Sequence, residues 1–279
     1  MSPLSPNSTK ALDRLRTYVP PPTIYSSLPM HCRAAVLLLL FADRAGNLCV
    51  ALTVRSASLR TFAGQVALPG GRSDHPDETP VQTARREAYE EIGLPLHSHP
   101  FPSLFSVEHL TELPLFLAGT NISVRPCVAF LRDITKGQTA DVNDSLMPEL
   151  NPKEVASVFT VPLERFLMND YDDDGATKKW DDVPWYTGDW FSWGGKKWKN
   201  NEFQAPVWSG ARLLRYKIWG MTARVLVDAA RIAYGRDPDF PSPKTIGDEG
   251  FVASSFATRG TGDEDSAGPG GSGKGQENL

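Results

Sequence analysis

The sequence predicts an α/β (α+β) fold in which a mixed β-sheet is packed between helices. Two short, mostly apolar runs lie close together, AAVLLLLFA at residues 34–42 and LCVALTVR at residues 48–55, and the turn signal DRAGN separates them. Further strand-like runs follow at residues 121–131 and 157–163. Helix-spaced apolar residues over 215–234 predict a long helix, and no internal repeat is evident.

Composition and charge exclude several classes of protein. The chain has 279 residues, of which 41% are hydrophobic and 22% charged, which is ordinary for a globular domain with a sizeable core. Its net charge of -4 gives no electrostatic reason to expect a nucleic-acid partner. The longest apolar run, Ala34 to Ala42, is too short to span a bilayer. The odd number and wide spacing of Cys32, Cys49 and Cys127 are typical of reduced thiols, so we expect a soluble intracellular protein.

Shifts in composition divide the chain into three parts. Residues 1–29 are predicted to be an extension whose short helix ends at the Pro20–Pro22 run, with a basic mitochondrial transit peptide as the alternative. Residues 30–236 are predicted to form the main domain, with a tryptophan-rich insertion at about 168–208 that is expected to be a hairpin with half-buried rings. Residues 237–279, rich in Gly, Ser, Pro and Asp, are predicted to be a disordered tail.

A helix over residues 80–92 has clear start and stop signals. Thr79 is a suitable N-cap, Pro80 fits the first helical position, and Gln82 can complete a capping box. Gly93 fits the position just past the last turn. One apolar stripe is expected to face the core, formed by Val81, Ala84, Ala88 and Ile92.

Three carboxylates share another face of this helix. Glu87, Glu90 and Glu91 are spaced i, i+3 and i+4, so their charges repel unless a cation lies among them, and Arg86 can pair only in part. Mg²⁺ or Mn²⁺ takes oxygen ligands of this kind and also binds phosphate oxygens. The alternative is an ordinary solvated acidic face. The Pro-Gly-Gly run at residues 69–71, which lets the backbone turn close to the helix, favours the metal site.

These residues resemble the Nudix box. The segment REAYEEIGL, from Arg86 to Leu94, matches the second half of that motif, and Glu78 precedes it by the usual seven residues. Six residues rather than five separate Gly71 from Glu78, and the extra one falls in a polar loop where insertion costs little. The upstream run LTVRSASLRTFAGQVALPGG, residues 52–71, is similar to the signature of the coenzyme A diphosphatase branch of the family. The resemblance covers roughly residues 30–235 and implies the Nudix fold.

The resemblance implies a role for each residue of the motif. Mg²⁺ or Mn²⁺ would be bound by three catalytic glutamates and one backbone oxygen, from Glu87, Glu90, Glu91 and Gly70. Which glutamate is the general base stays open. Glu78 and Arg86 would brace the loop against the helix, and Gly93 would end the helix. Glu154 is a further candidate metal ligand, in a loop that is also similar to this branch.

The implied substrate is a small molecule that contains a diphosphate. Arg55, Arg60 and Gly71 would bind it, because a guanidinium can clamp a phosphate with two hydrogen bonds. The implied reaction converts coenzyme A or acyl-coenzyme A and water to 3′,5′-ADP and 4′-phosphopantetheine or its acyl form. The tryptophan-rich insertion is a candidate wall for the pantetheine or acyl arm.

Several alternatives stay open at this point. The motif alone also fits a Nudix pyrophosphatase that acts on ADP-ribose or NADH, and a non-catalytic nucleotide-binding module is disfavoured because the glutamates are intact. The resemblance implies a peroxisomal location, although the final residues Glu277–Leu279 are not a Ser-Lys-Leu type of signal, and the cytosol and the mitochondrion are alternatives. The sequence does not indicate an oligomeric state.

Overall fold

The computed structural model describes residues 3–96, 105–133, 150–169, 183–209 and 212–259. Its helices are α1 (Pro6–Thr17), α2 (Pro80–Ile92), α3 (Gly220–Tyr234) and α4 (Glu249–Arg259). Its strands are β1 (Arg33–Ala42), β2 (Leu48–Arg55), β3 (Val66–Ala67), β4 (Gly70–Arg72), β5 (Phe105–Glu112), β6 (Phe116–Leu117), β7 (Ser123–Asp133), β8 (Val155–Pro162), β9 (Tyr186–Trp193), β10 (Lys196–Ser209) and β11 (Arg212–Trp219). Within these ranges, no helix is both long and apolar enough to cross a membrane.

The main sheet is mixed, as the sequence predicts. Its principal order is β3-β2-β1-β7-β5, with β4 on β1, β6 on β7 and β8 on β2. The central pair β1 and β7 is parallel, and the other pairs are antiparallel. All ten residues of β1 are buried, which explains its unbroken apolar run.

Helices cover both faces of this sheet. On one face, Leu38 and Leu40 of β1 share a core with residues of α1 and α3. On the other face, Leu37 and Leu39 pack in a core with Ala84 and Ala88 of α2. Because side chains alternate along a strand, β1 contributes to both cores. The expected arrangement of a mixed sheet between helices is confirmed.

The tryptophan-rich segment forms a second, antiparallel sheet in the order β11-β10-β9. Strands β9 and β10 are a hairpin whose ladder runs from Lys196 opposite Trp193 to Phe203 opposite Tyr186. Trp185 and Phe203 are buried in the core that contains α1 and α3. The described part of the insertion is therefore a hairpin, and it packs on the sheet face opposite α2. Residues 170–182 of the predicted insertion lie outside the described ranges.

The helix predicted from residue 215 begins later. Residues 215–219 belong to β11, where Lys217 lies opposite Gln204 and Ile218 opposite Phe203. Gly220, with a φ of 62°, marks the change from strand to helix α3. The pattern was ambiguous because a short alternating run fits either period until its partner strand is known.

The prediction of a disordered tail from residue 237 is wrong for residues 237–259. This segment ends in α4, whose Val252 is fully buried beside Tyr25 and Leu117. Just before α4, the buried carboxylate of Asp248 accepts a hydrogen bond from Leu117 N at 3.0 Å and pairs with two cations, Lys196 at 3.2 Å and Arg224. These contacts order the segment despite its polar composition. Residues 260–279 lie outside the described part of the chain.

Candidate active site

Helix α2 is built by the local signals that the sequence contains. The Thr79 hydroxyl accepts a hydrogen bond from Gln82 N at 3.2 Å, and the Gln82 side chain accepts one from Thr79 N at 2.9 Å, which completes the capping box. Gly93 adopts the left-handed conformation, with a φ of 68°, directly after the helix. Ala84 and Ala88 are fully buried against the sheet. The acidic side chains are consequently presented away from that core.

The Pro-Gly-Gly run passes very close to both β1 and α2. Strand β4 pairs with β1, with Gly70 opposite Val36. A Cβ atom at Gly70 would lie 2.6 Å from the Val36 Cα, and one at Gly71 would overlap the Glu87 carboxylate. The Gly70 N–H donates to Glu91 Oε2 at 3.1 Å. Only glycine therefore fits between the strand and the acidic helix face.

Arg86 is the centre of an ion-pair network at the start of this acidic face. Its Nε donates to Glu78 Oε1 at 2.9 Å, and its Nη2 donates to the Arg72 carbonyl oxygen at 2.9 Å. Its Nη1 lies 3.0 Å from Glu87 and 3.3 Å from Glu90. Burial alone would raise the pKa of Glu78, but hydrogen bonds from Arg86 and from the loop backbone lower it below its usual value. Arg86 thus ties the loop that carries Glu78 to the helix.

Asp74 was not predicted to take part in this network. Its carboxylate lies 3.3 Å from Arg86 Nη1, in the polar loop that is one residue longer than usual. The backbone N–H of Asp74 also donates to Glu78 Oε2 at 2.8 Å. An acid in a loop full of polar residues gives no signal of its own, so the sequence offered no means of distinguishing it.

The three clustered glutamates differ sharply in their surroundings. Glu91 is only 6% exposed, and burial raises its pKa to about 8, with a further rise from the charges of Glu87 and Glu154. The Gly70 N–H and the positive charge of Arg55 oppose this rise. Burial also raises the pKa of Glu87. The side chain of Glu90, by contrast, is 47% exposed. Two of the three carboxylates are therefore desolvated with too little positive charge nearby.

The donor chemistry of this face fits a divalent cation. All three side chains are carboxylates, the hard oxygen donors that Mg²⁺ and Mn²⁺ prefer, and the Glu87 carboxylate fills the space that glycine leaves at position 71. In the present conformation of the described residues, no three His, Cys, Asp or Glu side chains are grouped closely enough to chelate a metal. The guanidinium of Arg86 instead lies beside Glu87 and Glu90.

The two predicted substrate-binding arginines lie in different surroundings. Arg55 ends β2 and is close enough to Glu91 for its charge to lower the pKa of that carboxyl. Its Nε is buried and has no hydrogen-bond partner among the described residues. Arg60 is exposed in the loop that connects β2 to β3, and no hydrogen bond or ion pair links it to the glutamates within the described ranges. The structure brings Arg55, but not Arg60, to the acidic face.

Glu154 approaches the same face from the far end of the chain. It directly precedes β8, and its backbone oxygen accepts a hydrogen bond from Ser56 N at 2.8 Å. Its charge contributes to the raised pKa of Glu91. The acidic face is thus bordered by α2, the Pro-Gly-Gly run, the end of β2 and the start of β8.

Comparison with known proteins agrees with this architecture. The family model described as NUDIX domain matches residues 30–181. The chain is 37% identical over 208 residues to Nudix hydrolase 15, mitochondrial, of Arabidopsis thaliana, a match that covers 75% of this chain and 61% of that protein.

Two further relatives carry names that specify an activity. The chain is 31% identical over 264 residues to peroxisomal coenzyme A diphosphatase 1 of Saccharomyces cerevisiae, covering 80% of this chain and 76% of that protein. It is 38% identical over 145 residues to the peroxisomal coenzyme A diphosphatase NUDT7 of Mus musculus, covering 52% of each. The match thus spans less than two thirds of the plant and mouse relatives.

Proposed function

Because the chain belongs to the Nudix family, we propose that it hydrolyses the diphosphate of coenzyme A or acyl-coenzyme A. The products would be 3′,5′-ADP and 4′-phosphopantetheine or its acyl form. The observation that carries this proposal is the position of Arg55, whose unpartnered guanidinium Nε and positive charge lie beside the buried Glu91. A cationic donor next to desolvated carboxylates suits a phosphate that must be bound close to a metal. The names of the yeast and mouse relatives support the choice of substrate.

Each group of side chains has a separate task in this proposal. Arg55 binds and orients a phosphate oxygen, and the glycines at 70 and 71 let the diphosphate approach the backbone. Glu87, Glu90 and Glu91 hold Mg²⁺ or Mn²⁺, with the backbone oxygen of Gly70 as an additional ligand. When bound, the cation neutralises phosphate oxygens and lowers the pKa of a water molecule.

The remaining residues of the motif keep this arrangement in place. The Glu78 to Arg86 ion pair at 2.9 Å supports the proposed bracing role, because it joins the loop to the helix on which the ligands lie. Gly93 ends that helix directly after the last ligand. Arg60, exposed in the β2 to β3 loop, would contact the substrate outside the acidic face, for example at the 3′-phosphate.

The proposal is tested by replacing the metal ligands with isosteric amides. Glu90→Gln and Glu91→Gln should each lower the turnover of coenzyme A by orders of magnitude, while circular dichroism stays unchanged. Glu202→Gln on β10, which removes an exposed ion pair with Lys217, is the matched control and should retain full activity. Near-normal turnover in both site variants would refute the assignment of these glutamates.

A substrate panel separates the proposal from its nearest alternative. Coenzyme A, an acyl derivative, ADP-ribose and NADH should be compared with Mg²⁺ and with Mn²⁺, and the products identified by mass. We expect the coenzyme A compounds to give the highest kcat/KM. Preference for ADP-ribose or NADH would retain the hydrolase and reject the substrate. No turnover of any substrate with either metal would favour a non-catalytic binding module.

The peroxisome is the proposed location, supported by the printed names of the yeast and mouse relatives. The plant relative is named as mitochondrial, so that organelle is the specific alternative. Imaging of the full chain fused to a fluorescent protein at either terminus, against peroxisomal and mitochondrial markers, would distinguish the two. The proposed partner in either organelle is a small-molecule substrate and not a nucleic acid.

A further inference from the structure

Two serines at the end of β2 bind the backbone of a loop almost one hundred residues away. The Ser56 hydroxyl donates to the Pro152 carbonyl oxygen at 3.2 Å, and the Ser58 hydroxyl donates to the Lys153 carbonyl oxygen at 3.3 Å. The Ser56 N–H donates to the Glu154 carbonyl oxygen at 2.8 Å. Three consecutive carbonyl groups of the loop are therefore fixed to one short segment, which we call the serine clamp (residues 56–58).

The clamp and the loop are each closed internally. The two serine hydroxyl oxygens lie 2.9 Å apart, and Ser56 is buried. In the loop, the Asn151 carbonyl oxygen accepts hydrogen bonds from Glu154 N at 2.9 Å and from Val155 N at 2.8 Å. Because both partners are ordered by their own hydrogen bonds, the clamp fixes the position of Glu154 relative to the end of β2.

The same loop is also attached to the acidic helix. Asn151 N donates to the carbonyl oxygen of Glu91 at 3.2 Å, in the last turn of α2. The loop therefore links Arg55, which is adjacent to the clamp, with Glu91. This connection explains how Glu154 comes near Glu91 although 62 positions separate them in the sequence.

The Glu154 carboxylate is half-buried and has no hydrogen bond or ion pair with any described side chain. Its charge nevertheless reaches Glu91, since it helps to raise the pKa of that carboxyl. A partly desolvated carboxylate that faces another carboxylate is unfavourable without a cation between them. The arrangement makes sense if a cation is bound at this border of the acidic face.

We propose that Glu154 supplies a further carboxylate to the divalent-cation site and that Ser56 and Ser58 are positioning residues that hold it there. This inference rests on the proposed function, because it assumes a cation at the glutamates of α2. It assigns a metal-linked role to the two serines, which lie too far along the chain from Glu154 for sequence spacing to connect them.

The test is the affinity for Mn²⁺ itself, measured by titration calorimetry without substrate. Glu154→Gln should weaken Mn²⁺ binding about tenfold, a loss expected when an outer metal partner is removed. The double variant Ser56→Ala/Ser58→Ala should weaken it by a similar factor. The triple variant should bind no more weakly than Glu154→Gln, because the serines act through that carboxylate.

Two controls keep this test decisive. Ser157→Ala on β8 removes a hydrogen bond to Tyr216, at 3.3 Å, on the sheet face opposite the glutamates, and should leave Mn²⁺ affinity unchanged. If the double variant is too unstable to titrate, Ser58→Ala alone keeps the buried Ser56 bonds and should still weaken binding. Urea unfolding of every variant shows whether a loss of affinity accompanies a loss of structure.

The outcomes separate this inference from the proposed function. Mn²⁺ affinity that falls in Glu91→Gln but not in Glu154→Gln would overturn the role of Glu154 alone. Losses that add in the triple variant would overturn the role of the serines as positioning residues. A wild-type chain that binds no Mn²⁺, or that binds it equally well after Glu91→Gln, would overturn both this inference and the proposed metal site.

Discussion

Replacing Glu91 with glutamine should make the metal-free protein more stable at neutral pH. Glutamine has nearly the same shape, and its side-chain oxygen can still accept the hydrogen bond from Gly70 N. The substitution removes a negative charge from a side chain that is 6% exposed and whose pKa burial raises to about 8. The wild type therefore retains at this position a group that disfavours folding, as expected where a carboxylate serves function rather than stability.

The magnitude follows from the difference between the folded and unfolded carboxyl groups. The ordinary pKa is 4.5, so between pH 4.5 and about 8 the folded state binds the proton while the unfolded state has released it. The free energy of unfolding consequently falls as pH rises through this window, and is constant with respect to this group on either side of it. At ~1.4 kcal/mol per factor of ten in proton concentration, the cost at pH 7 is at most about 3 kcal/mol.

Urea unfolding at pH 5, 7 and 9 measures this effect. In a chelating buffer, Glu91→Gln should gain stability over the wild type on going from pH 5 to pH 9, by up to about 3 kcal/mol at pH 7. Saturating Mn²⁺ should stabilise the wild type more than the variant, since only the wild type keeps the full set of ligands. A metal-free variant whose stability is equal to or below that of the wild type at pH 9 would refute the account of a desolvated carboxylate.

Two further substitutions test the close approach at the site and the anchoring of the C-terminal segment. Gly71→Ala should lower kcat/KM by at least about tenfold with little change in fold, because the added methyl group overlaps the Glu87 carboxylate; Gly119→Ala, which meets nothing within 4 Å, is the control, and equal activity in the two variants would contradict this explanation. Asp248→Asn should lower the free energy of unfolding by about 3 kcal/mol, because it leaves two cations beside a buried neutral amide, while kcat/KM stays unchanged. Asp237→Asn, at a position where the side chain is 82% exposed, should change stability by less than about 0.5 kcal/mol, and a similar loss in both variants would contradict the anchoring role.

Helix α2 could be predicted in detail because its determinants are local. The capping box of Thr79 and Gln82 and the left-handed Gly93 lie within one turn of the residues they affect. The spacing of the three glutamates on that helix was equally legible. Their different environments were not, because the burial of Glu91 depends on Gly70, which follows a separate strand and loop.

The features that the sequence did not indicate depend on contacts between distant residues. The first residues of the predicted long helix are a strand because β10 pairs with them. The segment before α4 is ordered because Asp248 meets Lys196, 52 positions earlier in the chain. Composition and periodicity describe neighbours in sequence, so neither could reveal these long-range pairs.

The tryptophan-rich insertion illustrates the same limit in a functional prediction. Aromatic density suggested a wall for the pantetheine or acyl arm. Its described part packs instead on the sheet face opposite α2, where Trp185 contacts Phe166 and Phe203. These rings stabilise the core, and the described tryptophans give no support to a role in binding the acyl arm.

The most direct test of the central claim is product analysis with coenzyme A as the substrate. The wild-type chain and Glu90→Gln should be incubated with coenzyme A and Mg²⁺ or Mn²⁺, with a metal-free reaction as reference, and the products identified by mass. The account predicts 3′,5′-ADP and 4′-phosphopantetheine in equal amounts from the wild type with metal, and almost none from the variant or without metal. Intact coenzyme A in the wild-type reaction with either metal, or equal product formation by Glu90→Gln, would contradict it.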